Sequence, residues 1–455
     1  MHAVRDHWRA AFLAAALTLM LACSGGTEGD DDPVPPDDGS PLPRATLDDF
    51  IYLGSFKAPF GQYGAGKIAF NPQGDNGRGS LYLAGDGPDT FAVGEIAIPA
   101  LANATGRDSL DALNTAAVLQ PPADIYARIP VKAASWPQGR VNRYDNGNFA
   151  VFGGLYCEGG KLFFNAYTYY DGEGNETATT GVIHEPGRLA SSPISGMFKA
   201  GGAAHASGWM TAVPAEWRTR LQGTHLMGLD NQITIVSRAS AGPSLFAFDL
   251  ADVAAARDGT AIATRAWLDY SLEHSIWGDD MANVSGGNKT WTLKTESGVG
   301  IIVPGTRTYA LLGSAGGFNR NPANPWHGTP EPAFQPPVAG TIVYKRADSL
   351  GYDNGGVAVW DAQDRHYMYA FYDLEEVLAA AHPYSSKPYA NGVFPAPFGR
   401  YGAYTIPGQW TDAIAGGAYD PAGNRLYLTL PAADNESDPL YPGNPVIAVY
   451  EFRRR

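Results

Sequence analysis

Basic residues are scarce in this chain of 455, and nowhere do they gather into a stripe. Lysine and arginine number 32 against 46 aspartates and glutamates, a formal net charge of −14. Nucleic-acid binders displace phosphate counterions with such a stripe. The one basic cluster is Arg453-Arg454-Arg455 at the extreme C-terminus, so no nucleic-acid partner is expected. Cysteine is scarcer still: Cys23 and Cys157 alone, which rules out a disulfide framework. Beyond Ala22 no hydrophobic run is long enough to cross a bilayer. Long amphipathic helical patterns are nearly absent, and only Asp249 to Ala256 and Leu374 to His382 read as short helices.

Familiar catalytic signatures are missing as well. There is no Gly-x-Ser-x-Gly elbow, no P-loop and no dinucleotide fingerprint. No histidine has zinc-ligand spacing to another histidine or to a cysteine. The turn Asp75-Asn76-Gly77 offers oxygens to Ca²⁺ but lacks the acidic ladder of an EF-hand loop. No cofactor is expected, calcium at this turn being the one exception entertained.

What is present begins at the N-terminus. Arg5 and Arg9 precede an apolar stretch, Ala10 to Ala22, and Cys23 follows. A basic start, an apolar core of about 13 residues and a small residue before the cut fit a secretory signal. Met20-Leu21-Ala22-Cys23 resembles the lipobox of bacterial lipoproteins, with Met20 where leucine is usual. That resemblance implies a lipidated Cys23, a membrane partner through the lipid, and a place in the bacterial cell envelope, at the outer membrane or cell surface. Cys157 would then be the only thiol, a buried structural one in a strand-like context. Ser24 to Pro43 carries Glu28, Asp30, Asp31, Asp32, Asp37 and Asp38 with no lysine or arginine. Such a tract cannot bury a core and reads as a self-repelling tether. The expected organisation is a signal peptide over 1–22, a lipidated cysteine and linker over 23–48, and one folded domain over 49–455.

That domain has 55 glycines and 34 prolines among short apolar strands, the pattern of an all-β fold. Lys67 to Asn71 leads to Ser80 to Leu83, then Glu95 to Pro99. Gly417 to Leu428 looks like the same hairpin and is followed by Val446 to Tyr450. Ala58-Pro59-Phe60-Gly61-Gln62-Tyr63-Gly64-Ala65 precedes the first, and Ala396-Pro397-Phe398-Gly399-Arg400-Tyr401-Gly402-Ala403 the second. Weaker copies start at Gly154, Leu226 and Gly300. In the Leu226 copy, Leu226 to Gly228 turns into Ile233 to Val236 and then Leu245 to Phe248. Five units of roughly 75 residues, none with a helix to cover it, bury their faces by packing on one another in a ring. The expected fold is a β-propeller of five blades, or six or seven if Gln335 to Asp361 hides another. Phe50 to Phe56 would close the ring beside Val446 to Phe452. A pair of β-sandwiches is the competing architecture. Ile51 to Phe56, Ser240 to Phe246, Pro304 to Arg307 and Gly417 to Pro421 are also similar to segments of uncharacterised secreted bacterial proteins, a resemblance that implies no activity.

In a propeller, function concentrates on loops at a channel mouth. Tyr144-Asp145-Asn146-Gly147 leads into the second unit, and Asn165-Ala166-Tyr167-Thr168-Tyr169-Tyr170-Asp171 leaves it. Alternation puts Asn165, Tyr167 and Tyr169 on one face. Tyrosines with amide and carboxylate neighbours suit a sugar, so Asn146, Asn165, Tyr167, Tyr169 and Asp171 are the candidate ligand residues, with Trp277 and Trp326 as rim aromatics. The competing reading is that these rings pack blades and staple loops. Tyr-Asp-Asn-Gly recurs at Tyr352 to Gly355, so Asp145 and Asp353 are weak candidates for a hydrolytic carboxylate pair. A lyase site would instead need His184, His205 or His225 beside Tyr167 and Arg188. The favoured function is a surface-tethered lipoprotein whose propeller binds an extracellular glycan or protein. The alternative is an extracytoplasmic carbohydrate-active enzyme, a hydrolase or lyase.

Overall fold

The computed structural model describes residues 41–62, 66–85, 90–136, 150–168, 171, 176–229, 241–278, 288, 290–292, 295–316, 366–399, 412–431, 433–434 and 443–454. They form a five-bladed β-propeller, within a compact unit spanning Leu42–Arg455. Strand β1 (Phe50–Lys57) comes first and is the outermost strand of the last blade. Blade 1 holds β2 (Ile68–Asn71), β3 (Ser80–Ala84), β4 (Ala92–Ala97) and β5 (Val118–Asp124). Blade 2 holds β6 (Ala150–Glu158), β7 (Lys161–Thr168), β8 (Thr180–Ile183) and β9 (Ile194–Ala200). Blade 3 holds β10 (Met210–Ala212), β11 (His225–Met227), β12 (Leu245–Phe248) and, after the two-residue strand β13 (Ala261–Ile262), β14 (Arg265–Leu268). Blade 4 holds β15 (Glu296–Ile302), β16 (Thr308–Ala315), β17 (His366–Asp373) and β18 (Ala390–Val393). Blade 5 holds β19 (Gly416–Asp420), β20 (Arg425–Leu430) and β21 (Val446–Phe452), completed by β1.

The inner strands β2, β6, β10, β15 and β19 touch in a closed circle. Period-two alternation explains why the ring holds. Along β7, Phe163 faces blade 3 and Phe164 faces blade 1. Along β20 and β21, Leu426, Leu428, Val446 and Ala448 face blade 4, whereas Tyr427, Ile447 and Val449 face blade 1. The buried residues therefore divide into five clusters, one for each junction between neighbouring blades. Because both faces of each sheet are covered only by other blades, a ring is the arrangement that leaves none wet.

The expected closure is observed. Phe50 pairs with Phe452 and Phe56 with Ile447 in an antiparallel ladder. The duplicated phrase is observed at equivalent places too. Ala58 to Gln62 runs from an outermost strand, β1, to an innermost one, β2; Ala396 to Gly399 runs likewise from β18 to β19. Phe60 is buried between blades 5 and 1, and Phe398 between blades 4 and 5. One hairpin is registered differently from expectation. Leu226 lies in the second strand of blade 3, not the first; β11 pairs with β10 on one side and with β12 on the other. Ile233 to Val236 and Gln335 to Asp361 fall outside the described residues.

Outer edges are covered by a repeated device. The connection between the third and fourth strands of each blade lies on the outermost strand of the blade before it. From blade 1, Ala102 and Thr115 bridge Ser55 and Lys57 of β1. From blade 2, Pro186 O accepts from Gln120 Nε2 of β5 at 2.9 Å, and Leu189 N donates to Gln120 Oε1. From blade 3, β13 adds to β9 in parallel. From blade 4, Pro383 O accepts from the N–H of Asp269, just past β14. In blade 5 the chain ends interrupt that connection, and residues 43–49 stand in for it. Ala45 N donates to Thr308 Oγ1 at 2.7 Å, Tyr389 Oη donates to Ala45 O at 2.7 Å, and Arg307 N donates to Pro43 O. Unpaired sheet edges invite strand addition, and these segments pack at or beside them.

Candidate functional site

The ring has two unlike rims. On the lower rim the inner strand of each blade turns into the second, mostly by tight turns: Glu158 to Lys161, Ile302 to Thr308 and Asp420 to Arg425. The first described residues also lie there. Arg44 Nε reaches Asp373 Oδ2 at 2.7 Å and its Nη2 reaches Glu376 at 2.6 Å, under blade 4. On the upper rim lie the lead-in segments to the inner strands and the links from second to third strands. Residues 317–365, between β16 and β17, lie outside the described residues.

Close backbone contact shapes the upper end of the ring. A Cβ on Gly298 would collide with Ile414 O, and one on Gly416 with Gly66 O. Thr429 Oγ1 donates to that same Gly66 carbonyl at 2.5 Å. The buried Lys67 donates to Ala415 O, linking the lead-ins of blades 1 and 5. Between blades 2 and 3, Asn165 performs the same task. Its Nδ2 donates to Gly208 O at 2.9 Å and to Ala206 O, and its Oδ1 accepts from Thr180 Oγ1 at 2.8 Å.

Asn165 is therefore a fully buried fastener with no exposed atom for a ligand. Tyr167 is two residues further up the same face of β7 and 7 % exposed. Asp171 is 6 % exposed and accepts the N–H of Glu176 at 3.3 Å. Trp277 packs among Trp209, Trp291, Leu268 and Tyr309 in the core between blades 3 and 4, so its ring staples a loop rather than facing solvent. Asp145, Asn146, Tyr169, Trp326 and Asp353 lie outside the described residues, as does Cys23.

The two candidate histidines part company. His225 begins β11 on the lower rim and is 4 % exposed. Its Nε2 lies 3.0 Å from Glu158 Oε2 and 3.1 Å from Tyr156 Oη, and Tyr156 donates to Glu158 at 2.5 Å. Bonds from His225 and Tyr156 hold the Glu158 carboxyl below the usual carboxylate range, while burial and the neighbouring carboxylate raise the Tyr156 hydroxyl. This trio clamps blade 2 to blade 3. His205 is on the lead-in to blade 3, and its Nδ1 lies 2.6 Å from Asp269 Oδ1, just beyond the last strand of that blade. The two side chains are 20 % and 31 % exposed. A histidine oriented through Nδ1 by a carboxylate is the working half of many acid/base sites.

No family model matches this chain, and no curated protein matches it. The geometry is thus the guide to function. Arg188, which a His/Tyr/Arg cluster would require, sits on the lower-rim connection of blade 2 and is ion-paired with Glu185. His184 is there too, 2.6 Å from Ser195 Oγ. At the turn considered for calcium, Asp75 Oδ1 is taken by Arg78 at 2.7 Å. Among the described residues no three His, Cys, Asp or Glu side chains converge as metal ligands. The Cys157 thiol is pushed up to about 12 by burial and by Glu95 and Glu158, which leaves it protonated and unreactive at neutral pH. No helix among the described residues is long and apolar enough to cross a membrane.

Sequence reasoning missed Asp269, Tyr156 and Glu158. Asp269 is 64 positions from His205, and Tyr156 and Glu158 are 69 and 67 from His225. No local spacing encodes those distances; only blade adjacency does.

Proposed function

We propose that this protein is a bacterial envelope lipoprotein, held at the outer membrane or cell surface through Cys23, whose propeller binds an extracellular ligand on its upper rim. The reading rests on one observation above all: Pro43 to Ala45, among the first described residues, dock on the lower rim under blade 4. A chain that joins the propeller at Pro43 leaves the opposite rim for a ligand. Rim loops on a rigid ring are where binding residues accumulate. Tyrosine, tryptophan and amide side chains in those connections favour a glycan, with a protein ligand as the other possibility.

Two measurements test the reading. Alkyne-palmitate labelling in a bacterial host should mark the wild-type chain and be abolished by Cys23→Ser. Purified full-length protein in detergent should be retained on a glycan array; absence of retention from every glycan removes the glycan assignment. The second reading, a carbohydrate-active enzyme, is favoured by the His205–Asp269 pair. New reducing ends appearing in a retained polysaccharide would promote it over simple binding.

A further inference from the structure

Pro43-Arg44-Ala45 lies along blade 4 more like a bound peptide than like a linker. Its backbone is held at three points. Pro43 O accepts from Arg307 N at 3.0 Å, Ala45 N donates to Thr308 Oγ1 at 2.7 Å, and Ala45 O accepts from Tyr389 Oη at 2.7 Å. Between these points the Arg44 guanidinium is met by three groups. Its Nε donates to Asp373 Oδ2 at 2.7 Å, its Nη2 donates to Glu376 Oε1 at 2.6 Å, and its Cζ lies 4.7 Å from the centre of the Tyr389 ring. Ala45 is fully buried in the junction between blades 4 and 5, so a bulkier side chain after the arginine would be driven into that core. The receiving groups are also fixed by bonds in which the segment has no part. Asp373 is almost fully buried, caps the short helix Leu374–Ala379 by accepting from Glu375 N at 2.9 Å, and lies 3.0 Å from Arg307 Nε. Tyr389 Oη meets Thr308 Oγ1 at 2.7 Å.

We propose that this edge of blade 4 is a recognition site for an arginine-bearing extended peptide of a partner protein, filled in cis by residues 43–45. The site is independent of the upper rim and of any glycan bound there. Peptide-recognition surfaces combine main-chain hydrogen bonds, which take any extended chain, with a pocket that selects one side chain. Both parts are here. A planar guanidinium satisfies Asp373, Glu376 and the Tyr389 face at once. An ammonium is a point charge with neither the fork nor the flat face. Asp373 is the anchor: it is buried, so its bond to an incoming guanidinium is little screened. Glu376 is exposed and contributes less. A segment tethered in cis competes at an effective concentration of roughly millimolar. A partner's arginine therefore binds weakly until the cis segment is displaced or its own arginine is lost.

A clamp that only closes the edge binds nothing in trans. The probe is a fluorescein-labelled peptide, Leu-Pro-Arg-Ala-Thr-Leu-Asp, with the sequence of residues 42–48. Its binding to the full-length protein is read by fluorescence anisotropy. Arg44→Ala, with unchanged circular dichroism, should bind it at least about tenfold more tightly than the wild type, whose own arginine holds the slot. A peptide with citrulline in place of arginine has the same shape without the charge, and should bind that variant at least about tenfold more weakly. Glu376→Gln added to the variant should weaken the arginine peptide roughly threefold. A second measurement separates the guanidinium slot from the peptide site. Millimolar N-acetylarginine methylamide should slow amide exchange at Tyr389 to Val393 of Arg44→Ala, and the lysine analogue should not. Equal binding by wild type and Arg44→Ala, or of the arginine and citrulline peptides, overturns the peptide site even where the small compound slows exchange. Failure of both measurements overturns the slot as well.

Discussion

Asn165 is best understood as a substitute for backbone pairing at a place where two blades meet without a ladder. Its amide reaches two carbonyls of the blade 3 lead-in and takes the Thr180 hydroxyl. Asn165→Leu keeps the volume but orphans those buried groups, each costing about 1–3 kcal/mol. Urea unfolding should show a lower midpoint with little change in slope; an unmoved midpoint would mean that water reaches these carbonyls. Glu158 makes the residue-scale case for pH. Its carboxyl is held below the usual range by His225 and Tyr156. A depressed carboxylate stabilises the fold above its unfolded value, and that contribution is lost as pH falls through the lower, folded value. Thermal midpoints measured from neutral pH downward should fall less steeply through the acid range in Glu158→Gln than in the wild type. Parallel acid limbs would show that the trio is no clamp. Glu158 is half exposed, so its share is small.

The elements repeat a rule that no single element shows: each third-to-fourth connection covers its neighbour's edge, and residues 43–49 fill the vacancy left by the chain ends. The clamp is concentrated in Arg44, which lies on the Tyr389 ring and bonds Asp373 and Glu376. Asp373 is almost fully buried and retains Arg307 at 3.0 Å when Arg44 is removed. Arg44→Ala should therefore loosen this edge without unfolding the ring. Amide exchange should quicken at Tyr389 to Val393 while the global denaturation midpoint barely moves; unchanged exchange there would show that the segment is not a cover. How much of this could be read beforehand follows from burial. Strands such as Thr308 to Leu312 and Leu426 to Leu428 are packed on both faces and announce themselves as apolar runs. The three residues of β10, Met210 to Ala212, are too few to make a pattern, so its hairpin was shifted to Leu226. Residues 43–48 share the linker's Pro/Asp chemistry and read as linker, because only contacts with blade 4 distinguish them. The site was less legible than the fold. Asn165 and Trp277 have residue types suited to a ligand, but both are committed to junctions, and type alone does not reveal which way a side chain is used.

At the scale of the molecule, the described core residues are divided among blade junctions rather than gathered at one centre. Five interblade clusters hold the ring, and each depends on both of its blades. The ring closes where β1 pairs with β21, strands from opposite ends of the propeller sequence, and no disulfide among the described residues reinforces that seam. Phe50 and Phe56 belong to the clusters on either side of blade 5, so losing β1 would wet both at once. Unfolding should begin at this seam, since it joins the chain's two ends and is supported by no turn. A cross-link there would close nearly the entire chain into one loop, where the chain-entropy argument gives about 3–5 kcal/mol. Ile51 and Glu451 face each other across the ladder and are not fully buried, so Ile51→Cys with Glu451→Cys suits the purpose. Antiparallel partners of this kind have Cα separations about 4.5–5.5 Å, within disulfide reach. Cys157 is half-buried rather than fully buried as expected, but its thiol is protonated at neutral pH, so the engineered pair should oxidise selectively. The oxidised protein should unfold in guanidinium at least tenfold more slowly than the same protein reduced. Equal rates, with the disulfide verified by mass, would mean that the ring opens first between two other blades and that β1 is a passenger on blade 5 rather than its lock.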